Sequence, residues 1–387
     1  MSKAKKKSNF HSQKILVTGG HLTPAQACIE ELIAKNYKNI VYVGQKRTIL
    51  FDKNLSAEYK VITSLNLKFI SIIAGKYSRF LNFHALIWLF RIPIGFIHAL
   101  LILLSERPKL VLSFGSHVAL PIVFWARMLS IPVVTHEQTV TIGLSNKIIQ
   151  FFADKVCYSW ENNEYNVDND KYILTGNPVR KAIRESYNSI SSMTKNNDGN
   201  ITILVTGGNQ GAHVINQYIC DNIHTLIKKY RIIHLTGSNT IFNDYSKAKQ
   251  IENIINNKFD QPRYFVYDYV SVNDMINFYK KADILITRAG ANTVAEIIIL
   301  RKKALVIPIK TTSGNEQFLN AKLLEKLGLG HTINQDDLYR VNLDKLIVDL
   351  LKTSIEEKEI ESISKLHLNA HKNIVKLVLD ILEEKTL

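Results

Sequence analysis

The sequence contains little cysteine and none of the usual cysteine motifs. Its three cysteines, Cys28, Cys157 and Cys220, are far apart and match neither a CxxC pair nor the ligand spacing of a zinc site. Disulfide frameworks and structural zinc sites are therefore disfavoured. The pattern is typical of a cytoplasmic protein whose thiols are reduced and mostly structural.

Common nucleotide and metal motifs are also missing. No GxxxxGK[ST] phosphate loop occurs, and the first glycine turn, TGGHLTP at residues 18–24, lacks the GxGxxG pattern of NAD-binding domains. The acidic triplet DND at residues 168–170 precedes an apolar strand, whereas a metal-binding DxD usually follows one. We therefore expect neither a metal ion nor another cofactor.

No secretory signal is recognisable, because the basic first residues, 1–12, read as a disordered tail and lead directly into KILVTGG. The apolar run at residues 85–104 is long enough to span a bilayer, but Arg91, Pro93 and His98 interrupt it. We expect a helix with one buried side, whose other side either contacts lipid or is covered by a larger core. Basic residues flank the run: Lys76, Arg79, Arg107 and Lys109.

Acidic residues are outnumbered by basic ones. The formal net charge of +15 favours an anionic partner, such as nucleic acid, an acidic membrane surface or a phosphorylated small molecule. The sequence has no nucleic-acid recognition motif and no platform of interleaved aromatic and basic residues. Nucleic acid is therefore disfavoured.

What the sequence does have is a repeated opening. Residues 15–21 read ILVTGGH and residues 203–209 read ILVTGGN, and each apolar run ends in a glycine turn before a helical pattern. Apolar strands alternate with helical segments in both halves, which predicts two doubly wound α/β domains with parallel sheets. A length of 387 residues fits two domains. We place them at residues 13–184 and 201–369, joined by a polar linker at residues 185–200.

The second half contains the most informative turn. In ADILITRAGANTVAEI, residues 282–297, a buried strand runs into Arg288-Ala-Gly290, and a helix begins there. Small residues let a diphosphate approach the N–H groups at the helix start, and Glu296 one turn later suits a ribose diol. The alternative is an ordinary tight turn with a first-turn carboxylate. Two more segments begin helices after strands: GGNQGAH at 207–213 and EQFLNA at 316–321.

The first half offers candidates for a general base. His136 and Glu137 end the strand PVVTHE, and His21 follows the first glycine turn. All three lie at the carboxyl ends of strands, where doubly wound sheets bind ligands. A histidine with a pKa near neutral suits proton abstraction from a hydroxyl group. With two such domains, the expected active site is the cleft between them.

Seven stretches, in order, resemble glycosyltransferase family 28: TGGHLTPA, FGSHVALP, HEQTVTIGLSNK, GNPVR, GGNQGA, TRAGANTVAEI and EQFLNA. The resemblance implies a GT-B fold, in which two Rossmann-like domains face each other across a cleft. The N-terminal domain would bind a lipid-linked acceptor, and the C-terminal domain would bind UDP-N-acetylglucosamine (UDP-GlcNAc). The family's last helix often crosses back, so residues 370–387 would join the first domain.

The same resemblance implies an inverting, metal-independent enzyme of peptidoglycan synthesis. It would transfer N-acetylglucosamine from UDP-GlcNAc to the 4-hydroxyl of undecaprenyl-diphospho-muramyl-pentapeptide (lipid I), giving lipid II. His21 is the first choice for the base, with His136 or Glu137 as orienting or alternative groups. The protein would bind peripherally to anionic lipids on the cytoplasmic face of the cell membrane.

Contact residues are also implied by the resemblance. On the donor side they are Thr18, Gly19, Gly20, Arg180, Asn209, Gln210, Gly211, Val272, Arg288, Gly290, Ala291, Asn292, Thr293, Val294, Ala295, Glu296 and Gln317. On the acceptor side they are Gly115, Ser116, Thr139 and Asn146.

The chain departs from the family pattern at three places. Its first turn is TGGH, where the family usually has the longer GGTGGH, so fewer backbone N–H groups are available there. Thr139 stands where the family has asparagine, and Asn209 stands where serine is common. Two alternatives stay open: a related transferase with another lipid acceptor, such as diacylglycerol, and a non-catalytic subunit that binds a nucleotide sugar.

Overall fold

The computed structural model describes residues 12–47, 55–75, 83–161, 169–191, 201–310 and 315–384. The chain divides into two compact units, each built on one parallel sheet. Unit 1 comprises the described residues up to Arg180 and those from Leu366 onward, and unit 2 runs from Lys181 to Lys365. The predicted α/β class, with two Rossmann-like parallel sheets, is confirmed. Of the predicted tail, only Ser12 is among the described residues.

Unit 1 alternates strands and helices. Its strands are β1 (Ile15–Thr18), β2 (Ile40–Gly44), β3 (Lys68–Ser71), β4 (Leu110–Ser113), β5 (Val133–Glu137), β6 (Lys155–Tyr158) and β7 (Tyr172–Leu174). Its helices before β7 are α1 (Leu22–Ala34), α2 (Ala57–Ser64), α3 (Phe83–Glu106), α4 (Ser116–Met128) and α5 (Leu144–Phe152). The sheet order is β3-β2-β1-β4-β5-β6-β7, so the winding reverses between β1 and β4, where such sheets bind ligands.

Unit 2 repeats this plan. Its strands are β8 (Ile201–Thr206), β9 (Tyr230–Leu235), β10 (Tyr264–Tyr267), β11 (Ile284–Thr287), β12 (Lys303–Val306) and β13 (Gly330–Thr332). Its helices are α6 (Lys181–Ser191), α7 (His213–Leu226), α8 (Asp244–Asn256), α9 (Val272–Lys281), α10 (Ala291–Ile299), α11 (Glu316–Lys326), α12 (Leu343–Lys352) and the start of α13 (Glu357–Glu384). The order β10-β9-β8-β11-β12-β13 places its reversal between β8 and β11.

Buried apolar strands explain why both repeats fold alike. In β1, Ile15 and Val17 face α1 and the end of α13, whereas Leu16 faces α3 and α4. Helices therefore cover both faces of the sheet, which is why these strands read as almost continuous apolar runs. The last helix, α13, begins in unit 2 and packs Ile374 and Val378 into the core of unit 1.

The start of unit 2 differs from the predicted linker at residues 185–200. Residues 185–191 continue α6, which packs against α9 and α10. The segment is polar in sequence, but Ile183 is buried and the Ser186 hydroxyl donates to the Ala182 carbonyl at 2.6 Å, so one helix face is inward. The rest of the predicted linker, residues 192–200, lies outside the described residues.

Gly176 lies where β7 leads out of the sheet and contacts the return of α13. Its φ is +83°, and a Cβ there would lie 2.8 Å from the Leu366 carbonyl oxygen. The next residue, Asn177, donates its N–H to Nδ1 of His367 at 2.7 Å. This junction has no room for a side chain.

We expect Gly176→Ala to lower the free energy of unfolding by about 1–3 kcal/mol, because the new Cβ meets backbone and the left-handed φ is strained. Gly143→Ala is the control, since nothing lies within 4 Å of its Cβ position, and it should cost less than about 1 kcal/mol. Chemical denaturation measures both. Equal midpoints for Gly176→Ala and the wild type would contradict the close approach.

The apolar run at residues 85–104 forms most of α3. Ala99, Ile102 and Leu103 are buried, so one side packs into unit 1 as expected. Across the described residues, no helix is long and apolar enough to span a membrane. Ring contacts between Phe96 and Phe124 and between Phe124 and Phe152 join α3, α4 and α5 side by side. Exposed side chains on α3 and α5 make up what we term the apolar face: Ile94, Ile97, Leu101, Leu104, Ile148 and Phe151.

Candidate active-site residues of the two units

In unit 1, the predicted acceptor-side residues follow three neighbouring strands. β4 pairs with β1 on one side and with β5 on the other, and all are parallel. His21 follows β1, Gly115 and Ser116 lie between β4 and the start of α4, and Glu137 is the last residue of β5. They therefore share one edge of the sheet, at the reversal of its winding.

The turns after β1 and β4 are in direct contact. A Cβ on Gly20 would lie 2.5 Å from the Gly115 carbonyl oxygen and 2.5 Å from Cβ of Ser116. Ser116 has a φ of +73°, which costs energy for any residue except glycine and is typical of functional sites. Its N–H donates to Oδ1 of Asn146 at 3.2 Å, which links this turn to the segment after β5.

Glu137 organises the segment that follows β5. Its Oε1 accepts hydrogen bonds from the backbone N–H and the hydroxyl of Thr139 at 3.1 and 2.9 Å. Its Oε2 accepts from Nδ2 of Asn146 at 2.6 Å and from the Gly143 N–H at 3.4 Å. Burial raises the pKa of this carboxyl, and the four donors oppose that shift. In this conformation both oxygens hold the loop, which favours the orienting role over the role of base.

His136 and His21 differ in their surroundings. His136 is buried, and its Nε2 lies 3.1 Å from the Gly176 carbonyl oxygen and 3.1 Å from Oγ of Ser159. Because a carbonyl only accepts, Nε2 carries the ring proton. His21 is half-buried at the N-cap of α1. Burial lowers the pKa of each ring to about 4, so both rings are neutral at pH 7. The role of either ring as a base stays a prediction.

The first glycine turn uses its N–H groups within unit 1. The Gly19 N–H donates to the Val43 carbonyl at 2.9 Å, and the Gly20 N–H donates to Oε1 of Glu58 at 3.2 Å. Thr18 is buried in β1. The assignment of these three residues to donor phosphates stays a prediction. Glu58 was missed from the sequence, where it reads only as an acidic residue in the first turn of a helix.

In unit 2, the second glycine turn follows β8. Gly208 and Gly211 both have a φ of +81°, and a Cβ on Gly211 would lie 1.9 Å from the Thr236 carbonyl oxygen. The turn is thus pressed against the end of β9. Asn209 and Gln210 are exposed at its tip, beside the N-terminus of α7. Their position at the sheet's reversal suits the predicted contact with a donor.

The turn after β11 leads into helix α10. Gly290 begins α10 with no side-chain cap, which suits an anion at the first N–H groups. Arg288, however, points inward: its Nη1 donates to the Ile307 carbonyl and its Nη2 donates to Oε1 of Gln335, both at 2.8 Å. Its guanidinium stabilises the end of β12. The predicted contact of this side chain with a donor stays a prediction.

The predicted run Ala291 to Glu296 also divides into two kinds of position. The side chains of Ala291, Val294 and Ala295 are buried in unit 2, because α10 packs tightly beneath the turn. Asn292 and Thr293 are half-buried at the helix start. Glu296 is buried, and its Oε2 accepts a hydrogen bond from the Tyr279 hydroxyl at 2.9 Å. Its role toward a ribose stays a prediction.

Three other predicted donor residues lie at the ends of elements. The Oε1 atom of Gln317, in the first turn of α11, accepts the Ile309 N–H at 3.1 Å, just after β12. Val272 is 40% exposed at the start of α9. Arg180 is the residue before α6. Since β8, β11 and β12 are neighbours in the sheet, Gln317 shares its edge with the two glycine turns.

The acidic triplet at residues 168–170 precedes β7. Asn169 lies just before β7, with its Oδ1 accepting the Lys171 N–H at 2.8 Å, and residue 168 lies outside the described part of the chain. Within the described ranges, no group of three or more histidine, cysteine or acidic side chains is placed to hold a metal ion.

Comparison with known proteins gives matches along most of the chain. The model of the glycosyltransferase family 28 N-terminal domain matches residues 18–158, and that of the family 28 C-terminal domain matches residues 202–378.

Two relatives carry the name UDP-N-acetylglucosamine--N-acetylmuramyl-(pentapeptide) pyrophosphoryl-undecaprenol N-acetylglucosamine transferase. The one from Clostridium tetani is 30% identical over 381 residues, which cover 96% of this chain and 98% of the relative. The one from Clostridium novyi is 31% identical over 378 residues, with the same coverage of 96% and 98%. The crystal structure of Acinetobacter baumannii MurG is 21% identical in sequence and superposes with a TM-score of 0.64. The superposition covers 96% of this chain and 99% of that one, so the two proteins share a fold.

Proposed function

This chain belongs to glycosyltransferase family 28, and on that premise we propose that it transfers N-acetylglucosamine from UDP-GlcNAc to lipid I, an undecaprenyl-diphospho-muramyl-pentapeptide. The observation that carries the proposal is the identity of 30% over 98% of a relative named for this reaction. Release of UDP that depends on added lipid I tests it.

His21 is proposed to remove the proton from the 4-hydroxyl of the muramyl sugar. The hydroxyl oxygen forms a bond to C1 of N-acetylglucosamine, the bond from C1 to the UDP oxygen breaks, and the configuration inverts in one displacement. A neutral imidazole can accept that proton, and the negative diphosphate of a bound acceptor would raise its pKa. Glu137 and Asn146 hold the adjoining loop in place.

Unit 2 is proposed to bind the donor and to stabilise the leaving UDP. The uncapped N-terminus of α10 at Gly290 and the tip of the second glycine turn, at Asn209 and Gln210, are proposed to offer backbone N–H groups to a diphosphate. We place this donor site at the carboxyl ends of β8, β11 and β12.

Turnover is expected to continue in excess EDTA, because helix N-termini and glycine-turn N–H groups take the part that a metal ion plays in other transferases. Initial rates of UDP release with and without EDTA measure this. A collapse that manganese or magnesium restores would contradict the metal-independent mechanism.

The apolar face of α3 and α5 is proposed to dock on an anionic membrane surface, where a polyprenyl acceptor resides. Phe151 is 81% exposed and Ile97 is 63% exposed. Two basic residues accompany them: Arg107 directly follows α3, and Lys147 lies within α5. With a net charge of +15, binding should weaken as salt rises. We place the protein peripherally, on the cytoplasmic face.

Phe151→Glu and Ile97→Glu should each lower binding to phosphatidylglycerol vesicles by about tenfold. Each substitution removes an apolar side chain that docking would bury in the membrane, and it adds a negative charge that the anionic lipids repel. Vesicle co-sedimentation at low salt measures the partition. Ile241→Glu is the matched control, because Ile241 is 74% exposed but lies in unit 2. Equal losses in all three variants, or none, would remove the basis for docking through this face.

A further inference from the structure

A half-buried carboxylate beside the first glycine turn, that of Glu58, has no part in the mechanism above. Glu58 lies in the first turn of α2, and its two oxygens accept backbone N–H groups from different strand ends. Oε1 accepts from Gly20, after β1, at 3.2 Å, and Oε2 accepts from Gln45, after β2, at 3.3 Å. The hydroxyl of Tyr42 faces the same carboxylate.

Two glycines leave the space that this carboxylate fills. A Cβ on Gly19 would lie 2.7 Å from Oε1 of Glu58, and a Cβ on Gly44 would lie 2.8 Å from its Oε2. Neither glycine has a positive φ, so the backbone conformation does not demand glycine there. Their lack of a side chain serves the close approach of the carboxylate.

The chemistry of this cradle is that of an anion site. The backbone N–H groups of Gly20 and Gln45 converge on one point from the ends of two neighbouring strands. Proteins use converging N–H groups of this kind to bind phosphates and carboxylates. Burial raises the pKa of Glu58, while the N–H groups of Gln45 and Gly20 stabilise its ionised form. In this shortened turn, a carboxylate of the protein itself is the anion.

The cradle also clamps the turn that carries His21. Gly20 is held by Glu58 through its N–H, while on another side it contacts the Gly115 carbonyl oxygen and Ser116. His21 is the next residue and begins α1. A base must lie within hydrogen-bond reach of the proton that it removes, and a displacement of about 1 Å costs up to about 100-fold in rate.

We propose that Glu58 is a positioning residue for His21, whose carboxylate fills the anion position of the first glycine turn and thereby fixes the imidazole. The proposal rests on the function proposed above, in which His21 is the base. It assigns a role to the hydrogen bonds that Glu58 accepts from Gly20 and Gln45: they hold the turn that carries His21.

Glu58→Gln tests this, because glutamine keeps the size of the side chain but offers one oxygen where two N–H groups need acceptors. We expect kcat to fall by about tenfold or more while the KM for UDP-GlcNAc stays within about twofold. Amide hydrogen exchange should become faster in the peptide that contains Gly20. If this variant does not fold, Glu58→Asp takes its place, because it keeps the charge but shortens the reach of the carboxylate. The same fall in kcat and the same faster exchange at Gly20 are expected.

Glu106→Gln is the matched control. Its carboxylate also lies in unit 1 and is 8% exposed, but it pairs with Lys14 at 2.9 Å and Lys68 at 2.6 Å, away from the turn. It should lower the melting temperature and leave kcat and the exchange at Gly20 unchanged.

Wild-type kcat in folded Glu58→Gln, or unchanged exchange at Gly20, overturns the proposal. So does a rise in the KM for UDP-GlcNAc that accounts for the whole loss. If His21→Ala keeps full turnover, the assignment of the base fails and this inference fails with it. If His21→Ala is inactive while Glu58→Gln is fully active, only this inference fails.

Discussion

His21→Ala is expected to lower kcat by about 10²- to 10⁴-fold, the usual contribution of a general base, while the Kd for UDP-GlcNAc stays within about twofold. The ring lies at the end of β1 in unit 1, whereas the proposed donor site is formed by residues of unit 2. Removing the ring therefore removes the proton acceptor and leaves the donor contacts. UDP release gives kcat, and calorimetric titration with UDP-GlcNAc gives the Kd.

His224→Ala is the matched control, because His224 is exposed on α7 and has no proposed role. It should turn over at the wild-type rate. Full activity of His21→Ala would assign the base to another group, with His136 and Glu137 as the candidates from the sequence. A wild-type protein that binds UDP-GlcNAc but never turns over would favour the non-catalytic alternative.

Acidification is expected to destabilise both units between pH 6.5 and about pH 4. Burial lowers the pKa of His136 from 6.5 to about 4 and those of His234 and His367 from 6.5 to about 3. The unfolded chain therefore binds protons below pH 6.5 that the folded chain does not. The contribution of these neutral histidines to the free energy of unfolding is fully present above pH 6.5, and it is lost as the pH falls toward the folded-state pKa values.

Burial is the main cause of these shifts, and at His367 a hydrogen bond adds to it. Nδ1 of His367 accepts the Asn177 N–H at 2.7 Å, so a second ring proton would break that bond. In unit 2, His234 lies between the Tyr264 hydroxyl at 2.8 Å and Oδ1 of Asn216 at 3.0 Å. For each such histidine, the free energy of unfolding should be about 2 kcal/mol lower at pH 5 than at pH 7.

Urea denaturation at pH 7, 6 and 5 measures the change in the free energy of unfolding. Glu58 and Glu137 act in the opposite direction, because their raised pKa values make protonation of the folded state easier, and they reduce the net loss. His367→Gln should give a shallower pH dependence than the wild type. A free energy that is constant from pH 7 to 5 would contradict the buried neutral histidines.

Much of the fold follows from the sequence. The repeated ILVTGG runs are β1 and β8 with their turns, and both strands lie beside the reversal of winding in their sheets. Buried parallel strands must be apolar along their whole length, and this is what makes them recognisable. Helix α6 was missed because its buried face depends on Ile183 and a short polar side chain, Ser186, and its fit against α9 and α10 cannot be read from composition.

The sequence predicts which strand ends carry the candidate residues, but it does not predict where their side chains point. Sequence motifs place His21, Gly115 and Glu137 after strands, and the structure brings those strands together. The directions of side chains were not predictable, because they depend on tertiary partners. Arg288 turns inward to the end of β12, and Glu58 reaches the first glycine turn from a helix that follows another strand.

The identity of the acceptor decides which reaction this protein catalyses, and a panel of acceptors distinguishes the possibilities. UDP release from UDP-GlcNAc is measured with lipid I, with diacylglycerol and with another prenyl-linked sugar, under the same conditions. We expect rapid release of UDP with lipid I alone, together with a β-linked disaccharide product. Faster release with diacylglycerol or the other prenyl-linked sugar, or no release with any acceptor, would contradict it.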